Sequence, residues 1–234
     1  MYVHTPISGS PYASPFARKP PAPQLEVKKH GVSDQAVAEA KAVMNRIFWS
    51  LTPLNEDLLR GLSIQLHLVP HGKPLTDISE FRKLRGTTTP DGKPYESLRA
   101  TGGLRTGSRI VYGAGEETIV RIDGVLPYYH WGYVVALESG RVVARFALTK
   151  SQQQRLQMLF DERRRTGGDW VCVDARSSPE AYFSASTAAV FGYPRRNMVP
   201  DVARFTRQWL FQNDRRMHGL VIEVFRHAPG PIPD

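Results

Sequence analysis

The chain has 234 residues, enough for one substantial hydrophobic core, and 41% of them are hydrophobic. No run of about 18 apolar residues is present, and the single cysteine can form neither an intramolecular disulfide nor a cysteine zinc cluster, so a soluble protein outside the disulfide-stapled and zinc-finger classes is expected. The net charge of +9 favours encounters with acidic partners without identifying one.

The first residues differ in composition from the rest of the chain. Residues 1–24 are rich in proline, serine and alanine and contain few side chains able to form a core. We therefore predict a flexible tail, followed by a single domain over residues 25–234. The tail has no apolar stretch of the kind that cleaved export peptides contain, which leaves cytoplasmic location and secretion by a non-cleaved signal both open.

The first half of the domain has the pattern of a helix followed by a small sheet. Ser33 is suited to cap a helix whose apolar residues recur every three or four positions through 37–51. Residues 63–69 alternate between apolar and polar side chains, which predicts a half-buried strand. Three further segments complete this half, with loops or a tight hairpin at 85–108 and strands at 110–112 and 118–122.

The second half is predominantly helical. Pro127 suits the first turn of a helix running to about Leu137, and residues 141–146 are compatible with its continuation or with a strand. Apolar spacing predicts four further helices, at 149–165, 179–191, 201–212 and 216–226. A small mixed sheet followed by a mainly helical half predicts an α+β fold.

Several reactive side chains are interpreted as structural. His67 belongs to the predicted strand and is expected to point towards solvent. Pro70 stands between His67 and His71 and argues against one helix presenting both imidazoles, so we interpret the two as surface histidines rather than as a metal pair. Cys172 is flanked by valines, which is typical of a buried and unreactive thiol.

Basic residues occur in short runs, which include Arg163-Arg164-Arg165, Arg195-Arg196 and Arg215-Arg216. The densest run lies at the end of a predicted helix, where cations complement the negative end of the helix dipole. We interpret these runs as solvated surface, and a partner site is the alternative.

Two of the segments carry motif-like sequences that can be compared with known families. Tyr129-His130-Trp131-Gly132-Tyr133 resembles the His-Glu-Phe-Gly-His helix of anthrax lethal factor-like zinc metallopeptidases, which are gluzincins, and residues 178–183 resemble the helix that supplies their third zinc ligand. Other segments resemble the same family in the same order, at 75–86, 89–92, 99–103 and the acidic pair Glu116-Glu117. The resemblance covers roughly residues 50–215 and implies a zincin-like architecture.

The resemblance also implies where the zinc ligands would stand. A peptidase zinc requires two imidazoles one helical turn apart, a third ligand from another helix and a carboxylate that accepts a proton from water. In the register that aligns Gly132, these functions fall on Tyr129, His130, Tyr133 and Ala181. All four are substituted, so no zinc cofactor and no catalytic residue is predicted, although zinc is the cofactor of the resembled family.

The sequence therefore predicts a catalytically inactive peptidase-like domain that acts by binding a protein or peptide. Because the resembled family includes toxins, a secreted effector or a toxin component is the implied setting. The residues predicted to line the old active-site cleft are Glu117, Tyr129, His130, Trp131, Tyr133, Asp174, Glu180 and Tyr182. If the cleft is closed, the aromatic residues among them would instead form a buried cluster that fills the volume of the absent metal site.

Two other functions remain open from the sequence. An enzyme could use a metal-free or relocated site in the same cleft, built around His130, Glu117, Glu180 and Asp174, with the histidine as base. The charge of +9 could also serve binding to nucleic acid or another anionic surface, which would weaken steeply with salt.

Overall fold

The computed structural model describes residues 21–89, 92–125, 132–193 and 206–226. The strands within these residues are β1 (Gln24–Lys29), β2 (Ser63–Val69), β3 (Ala100–Thr106) and β4 (Arg109–Gly115). The helices are α1 (Asp34–Phe48), α2 (Pro53–Asp57), α3 (Tyr133–Phe146), α4 (Lys150–Thr166), α5 (Pro179–Val190), α6 (Arg207–Asn213) and α7 (Arg215–Val224). Short 3-10 helices lie at Leu75–Asp77, Arg82–Leu84, Tyr95–Ser97, Glu116–Thr118 and Val173–Arg176.

The four strands form one mixed sheet in the order β1-β2-β4-β3. β1, β2 and β4 are parallel, and β3 is antiparallel to β4, with an irregularity in the pairing between Thr101 and Leu104. The predicted α+β fold with a small mixed sheet and a helical half is thus confirmed. β3 and β4 form the hairpin that the sequence left open, and Gly107 takes the positive φ of 61° that its turn needs.

Two boundaries of the sheet differ from prediction. β1 begins at Gln24, the last residue of the predicted tail, while residues 1–20 lie outside the described residues. The strand predicted at 118–122 is wrong, because the chain turns into a 3-10 helix directly after β4. There the Thr118 hydroxyl donates to the Gly115 carbonyl at 2.7 Å, and such a local side-chain bond favours a turn over an extended strand.

The sheet is covered on both faces, which makes the predicted orientation of His67 wrong. Ile64, Leu66 and Leu68 of β2 belong to the main core with the helices. On the other face, Leu75, Ile78 and Phe81 from the segment after β2 pack against Val69 and Val111 in a second, smaller core. His67 lies beside this smaller core and is only 3% exposed. His71, in contrast, is exposed as predicted.

α1 has the predicted Ser33 cap, and α4 and α5 lie within a residue of their predicted bounds. The Ser33 hydroxyl accepts from the Ala36 amide at the start of α1, and Thr149 forms a capping box with Gln152 at the start of α4. α3 is described from Tyr133, residues 127–131 of its predicted first turns lie outside the described residues, and residues 141–146 continue it. Of the predicted helix at 201–212, residues 201–205 lie outside the described residues. No helix in the described ranges is long and apolar enough to cross a membrane.

We expect His67 to make the stability of the fold depend on pH. Burial lowers the pKa of His67 to about 4, although the nearby Glu80 carboxylate raises it. Nδ1 of His67 lies 3.0 Å from Nε2 of His30, and the Phe81 ring packs edge-on against the His67 ring. The folded protein therefore keeps this imidazole neutral at a pH where the unfolded chain, with a histidine pKa of about 6.5, binds a proton.

Because the unfolded state binds the extra proton, this contribution is present above pH 6.5 and is lost as the pH falls from 6.5 towards 4. Between pH 7 and pH 5 the free energy of unfolding should fall by about 2 kcal/mol through His67 alone. Urea unfolding of the wild type and of His67→Phe at both pH values measures the difference. Parallel losses in the two proteins would contradict the assignment.

Candidate functional site

The two helices that would carry zinc ligands in the resembled family pack directly against each other. A Cβ added at Gly140 of α3 would lie 3.0 Å from the Ser184 Cα of α5, so the two backbones approach closely at this point. Tyr133 lies within about 20° of Gly140 around α3, and Ala181 within about 60° of Ser184 around α5. The facing sides of the two helices therefore include both positions, and both side chains are buried.

The first turn of α3 is covered by other parts of the fold. Gly132 precedes the helix with a φ of 81°, and a Cβ there would meet Cγ2 of Val43 at 2.5 Å. Tyr193 also lies at this point, and the Arg46 guanidinium stands 5.4 Å from the centre of its ring. Tyr133 is fully buried, so its ring occupies the interior at this point rather than lining an open cleft. Tyr129, His130 and Trp131 lie outside the described residues.

Tyr182 faces a different part of the fold from Tyr133. It lies about 200° around α5 from Ser184, on the side away from α3. Its ring packs against Trp170 at a centroid distance of 5.0 Å, and its hydroxyl donates to the Asp214 carboxylate. Tyr182 and Tyr133, which the sequence grouped in one cleft, thus point to different sides of α5. Glu180, half-buried, precedes Ala181 in the first turn of α5.

Glu117 anchors a buried ion pair just beyond the end of β4. Both of its carboxylate oxygens accept hydrogen bonds from Arg99, and Nδ1 of His71 lies 3.7 Å from Oε2. Burial by itself raises the pKa of Glu117, but the hydrogen bonds from Arg99 outweigh it, so the pKa is lowered and the carboxyl is ionised. Arg99 also donates to the backbone carbonyls of Pro70 and Lys73.

The glycine preceding this pair has a steric role. A Cβ on Gly115 would meet both the Arg99 guanidinium, at 2.5 Å from Nη2, and the Glu117 carboxylate, at 2.6 Å from Oε1. Glu117 is consequently a structural anchor in this arrangement, with its oxygens already occupied by a guanidinium.

A second buried carboxyl, on α3, was missed by sequence reasoning. Glu138 is 3% exposed, and its Oε1 lies 3.6 Å from Nη1 of Arg141. Burial raises the pKa of Glu138, Arg141 and Arg145 oppose this, and Asp174 adds to it. Asp174 is exposed in the 3-10 helix before α5, so the structure brings one predicted cleft residue close to Glu138. The available signal was a single Glu directly after the apolar stretch at 133–137.

Glu138 and its arginines lie over the glycine pair of β3. A Cβ on Gly102 would stand 2.7 Å from Cδ of Arg141 and 3.4 Å from Oε2 of Glu138. Nη1 of Arg145 donates to the Gly103 carbonyl at 3.2 Å. Polar side chains of α3 thus reach the strand at the edge of the sheet, at the point where its pairing is irregular.

No group of three or more His, Cys, Asp or Glu side chains in the described ranges is placed to hold a metal ion. Tyr133 and Ala181 are the two ligand-equivalent positions that these ranges include. Alanine has no donor atom, and the phenol of Tyr133 is enclosed by the fold. Cys172 is buried, as predicted.

Comparison with known proteins shows a likeness in fold. No protein-family model matches the chain, and no curated protein matches it. Among solved structures, the Pro-Pro endopeptidase PPEP-2 from Paenibacillus alvei is similar, with a TM-score of 0.50 and 15% sequence identity over 85% of this chain and 97% of that chain. The two chains therefore share an overall fold at low sequence identity.

Proposed function

We propose that this chain is a catalytically inactive peptidase-like domain, of lethal factor-like descent, that binds a protein or peptide segment. The proposal rests on the residues at the two described ligand-equivalent positions, Tyr133 and Ala181, on two helices that pack directly against each other. A zinc ion held there would lack its second imidazole and its third ligand. The peptidase-like fold supports retention of the scaffold.

The outer edge of β3 is the surface we assign to the bound segment. β3 is an edge strand of the described sheet, and an edge strand presents backbone N–H and C=O groups that an extended peptide can pair with. Arg105 and Arg145 are exposed at this strand and on the helix above it. Their charge favours a segment with acidic side chains, since complementary charges steer association and fix register.

Metal analysis tests the inactive character of the domain. Protein purified without chelator and dialysed against trace-metal-free buffer is expected to contain substoichiometric zinc, and added zinc should leave its unfolding temperature unchanged. The structurally similar protein is named as a Pro-Pro endopeptidase, so a peptide that contains a Pro-Pro bond is the test substrate. We expect this peptide to remain intact when it is incubated with the purified protein. Zinc bound tightly at one ion per chain, or cleavage of that peptide, would overturn the proposal.

Hydrogen exchange tests the binding surface. Acidic peptides and Pro-Pro peptides are screened for binding, and the tightest binder is added at saturation. We expect slower amide exchange in β3, residues 100–106, and unchanged exchange in β1, residues 24–29, which forms the other edge of the same sheet and serves as the internal control. Protection confined to β1, or binding without any protection in β3, would contradict the assignment.

A further inference from the structure

A cavity lies on the side of the helical half where Tyr182 points. Its volume is about 330 Å³, it is open to solvent on one side, and it is lined by the end of α4, the first turns of α5 and α7 and the end of α6. That size is at the lower end of the range for small-molecule sites. The lining includes Glu162, Arg163, Tyr182, Asp214, Arg215 and Arg216.

The cavity brings together two basic runs that the sequence had suggested were solvated surface. Arg163, from the run at the end of α4, and Arg215 and Arg216, from the start of α7, all line it. The runs are about fifty residues apart in the chain, and the packing of α4 against α7 joins them. The third run, Arg195-Arg196, lies outside the described residues.

The carboxylates of the cavity are already neutralised by neighbours. Asp214 accepts a hydrogen bond from the Tyr182 hydroxyl, and its Oδ2 lies 3.7 Å from Nη1 of Arg163. Burial raises the pKa of Tyr182 well above its usual range, so the phenol stays a donor to Asp214. Glu162 is paired with Arg216.

The arginines of the cavity leave an excess of positive charge. Arg163 is held in place, because its guanidinium donates to the backbone carbonyls of Asn213 and Asp169. Arg215 stands 5.5 Å from the centre of the Phe211 ring and has no carboxylate partner among the described residues. Three arginines therefore face two carboxylates, and Arg215, which pairs with no carboxylate in the described ranges, is at the exposed rim.

We infer that this cavity binds the phosphate group of a small ligand. A phosphate dianion offers several acceptor oxygens and can accept from more than one guanidinium fork at once. Within the part of the chain that the structure describes, Arg215 can bind the phosphate without breaking an ion pair. A dianion also attracts Arg216 more strongly than the single charge of Glu162 does. A ligand with a single carboxylate carries the same charge as Glu162 and would therefore gain less by replacing Glu162 as the partner of Arg216. The phosphate can come from inorganic phosphate or from a phosphomonoester.

The experiment is an NMR titration of the full chain in phosphate-free buffer at low salt. Inorganic phosphate and phosphoserine are each added, with acetate and chloride at equal ionic strength as comparisons. We expect saturable amide shifts around residues 163–166 and 212–217 with the two phosphates only. Tighter binding of phosphoserine would identify a phosphomonoester as the ligand, and tighter binding of inorganic phosphate would identify the free ion.

Single-residue variants distinguish specific phosphate binding in the cavity from nonspecific attraction to a positively charged protein. Arg215→Ala and Arg216→Ala should each weaken phosphate binding at least about tenfold. Arg155→Ala is the matched control, because Arg155 makes an ion pair between α4 and α7, with Glu223, as Arg216 does with Glu162, but does not line the cavity. It should change the affinity by less than about twofold. Absence of saturation, equal binding of acetate, or an equal loss in Arg155→Ala would overturn the inference.

Discussion

Replacing Arg99 with methionine should lower the free energy of unfolding by about 3–5 kcal/mol, because it leaves the Glu117 carboxylate buried without its cation. Arg99 is the donor to both oxygens of Glu117 and also holds the carbonyls of Pro70 and Lys73. Without Arg99, the Glu117 carboxylate has lost its cationic partner, and the carbonyls of Pro70 and Lys73 have lost a hydrogen-bond donor. Urea unfolding at pH 7, monitored by tryptophan fluorescence, measures the loss.

Two further variants locate the origin of that loss. Adding Glu117→Gln to the Arg99→Met protein should recover part of the stability, since an amide is cheaper to bury than an unpaired carboxylate. Arg85→Met is the control, because Arg85 pairs with the exposed Asp77 and such surface pairs contribute about 1 kcal/mol or less. A loss in Arg85→Met as large as in Arg99→Met would show that burial of the pair is not the cause.

Placing leucine at Gly140 should also cost about 3 kcal/mol, because the new side chain must enter the contact between α3 and α5. A Cβ alone would stand 3.0 Å from Ser184 Cα and 3.2 Å from the Ser184 carbonyl oxygen, and backbone atoms of a packed helix cannot move aside as a flexible side chain can. Thermal unfolding of Gly140→Leu and of Gly140→Ala measures how the penalty grows with side-chain volume.

Gly219 provides the matched control for this prediction. It is also a helical glycine, in α7, and the nearest atom to a Cβ there is Nη2 of Arg155 at 3.7 Å. Gly219→Ala should therefore raise the free energy of unfolding by up to about 1 kcal/mol through helix propensity alone. Gly140→Ala should show no such gain. An equal gain at both glycines would mean that the α3–α5 contact is loose.

Helices whose ends carry local signals were predictable from the sequence. α1, α4 and α5 start after Ser33, Thr149 and Ser178, each of which caps the helix through its own side chain. β2 was recognised by its alternation, but His67 was assigned to solvent. Alternation shows which residues share a face, and it cannot show that a later segment will cover the second face.

The candidate site was harder to predict for a similar reason. Tyr182 was grouped with the cleft by its position in a motif, and the direction of its side chain depends on which face of α5 meets α3. That choice depends on glycine and serine residues that permit close helix packing, and the hydrophobic pattern carries no information on it. Likewise, the partners Arg99 and Glu117 are 18 residues apart, a separation without a sequence rule.

Because the smaller core beside His67 is separate from the main one, we expect the segment between β2 and β3 to unfold as a cooperative unit of its own. Few apolar side chains of this segment pack against the sheet. Arg99, at the end of the segment, hydrogen-bonds to the carbonyls of Pro70 and Lys73 at its start. Such a unit can open while the helical core stays intact, as native-state exchange shows for other weakly packed regions. Limited proteolysis would then cut first near Gly86 and leave the four-helix packing of α3, α4, α5 and α7 resistant.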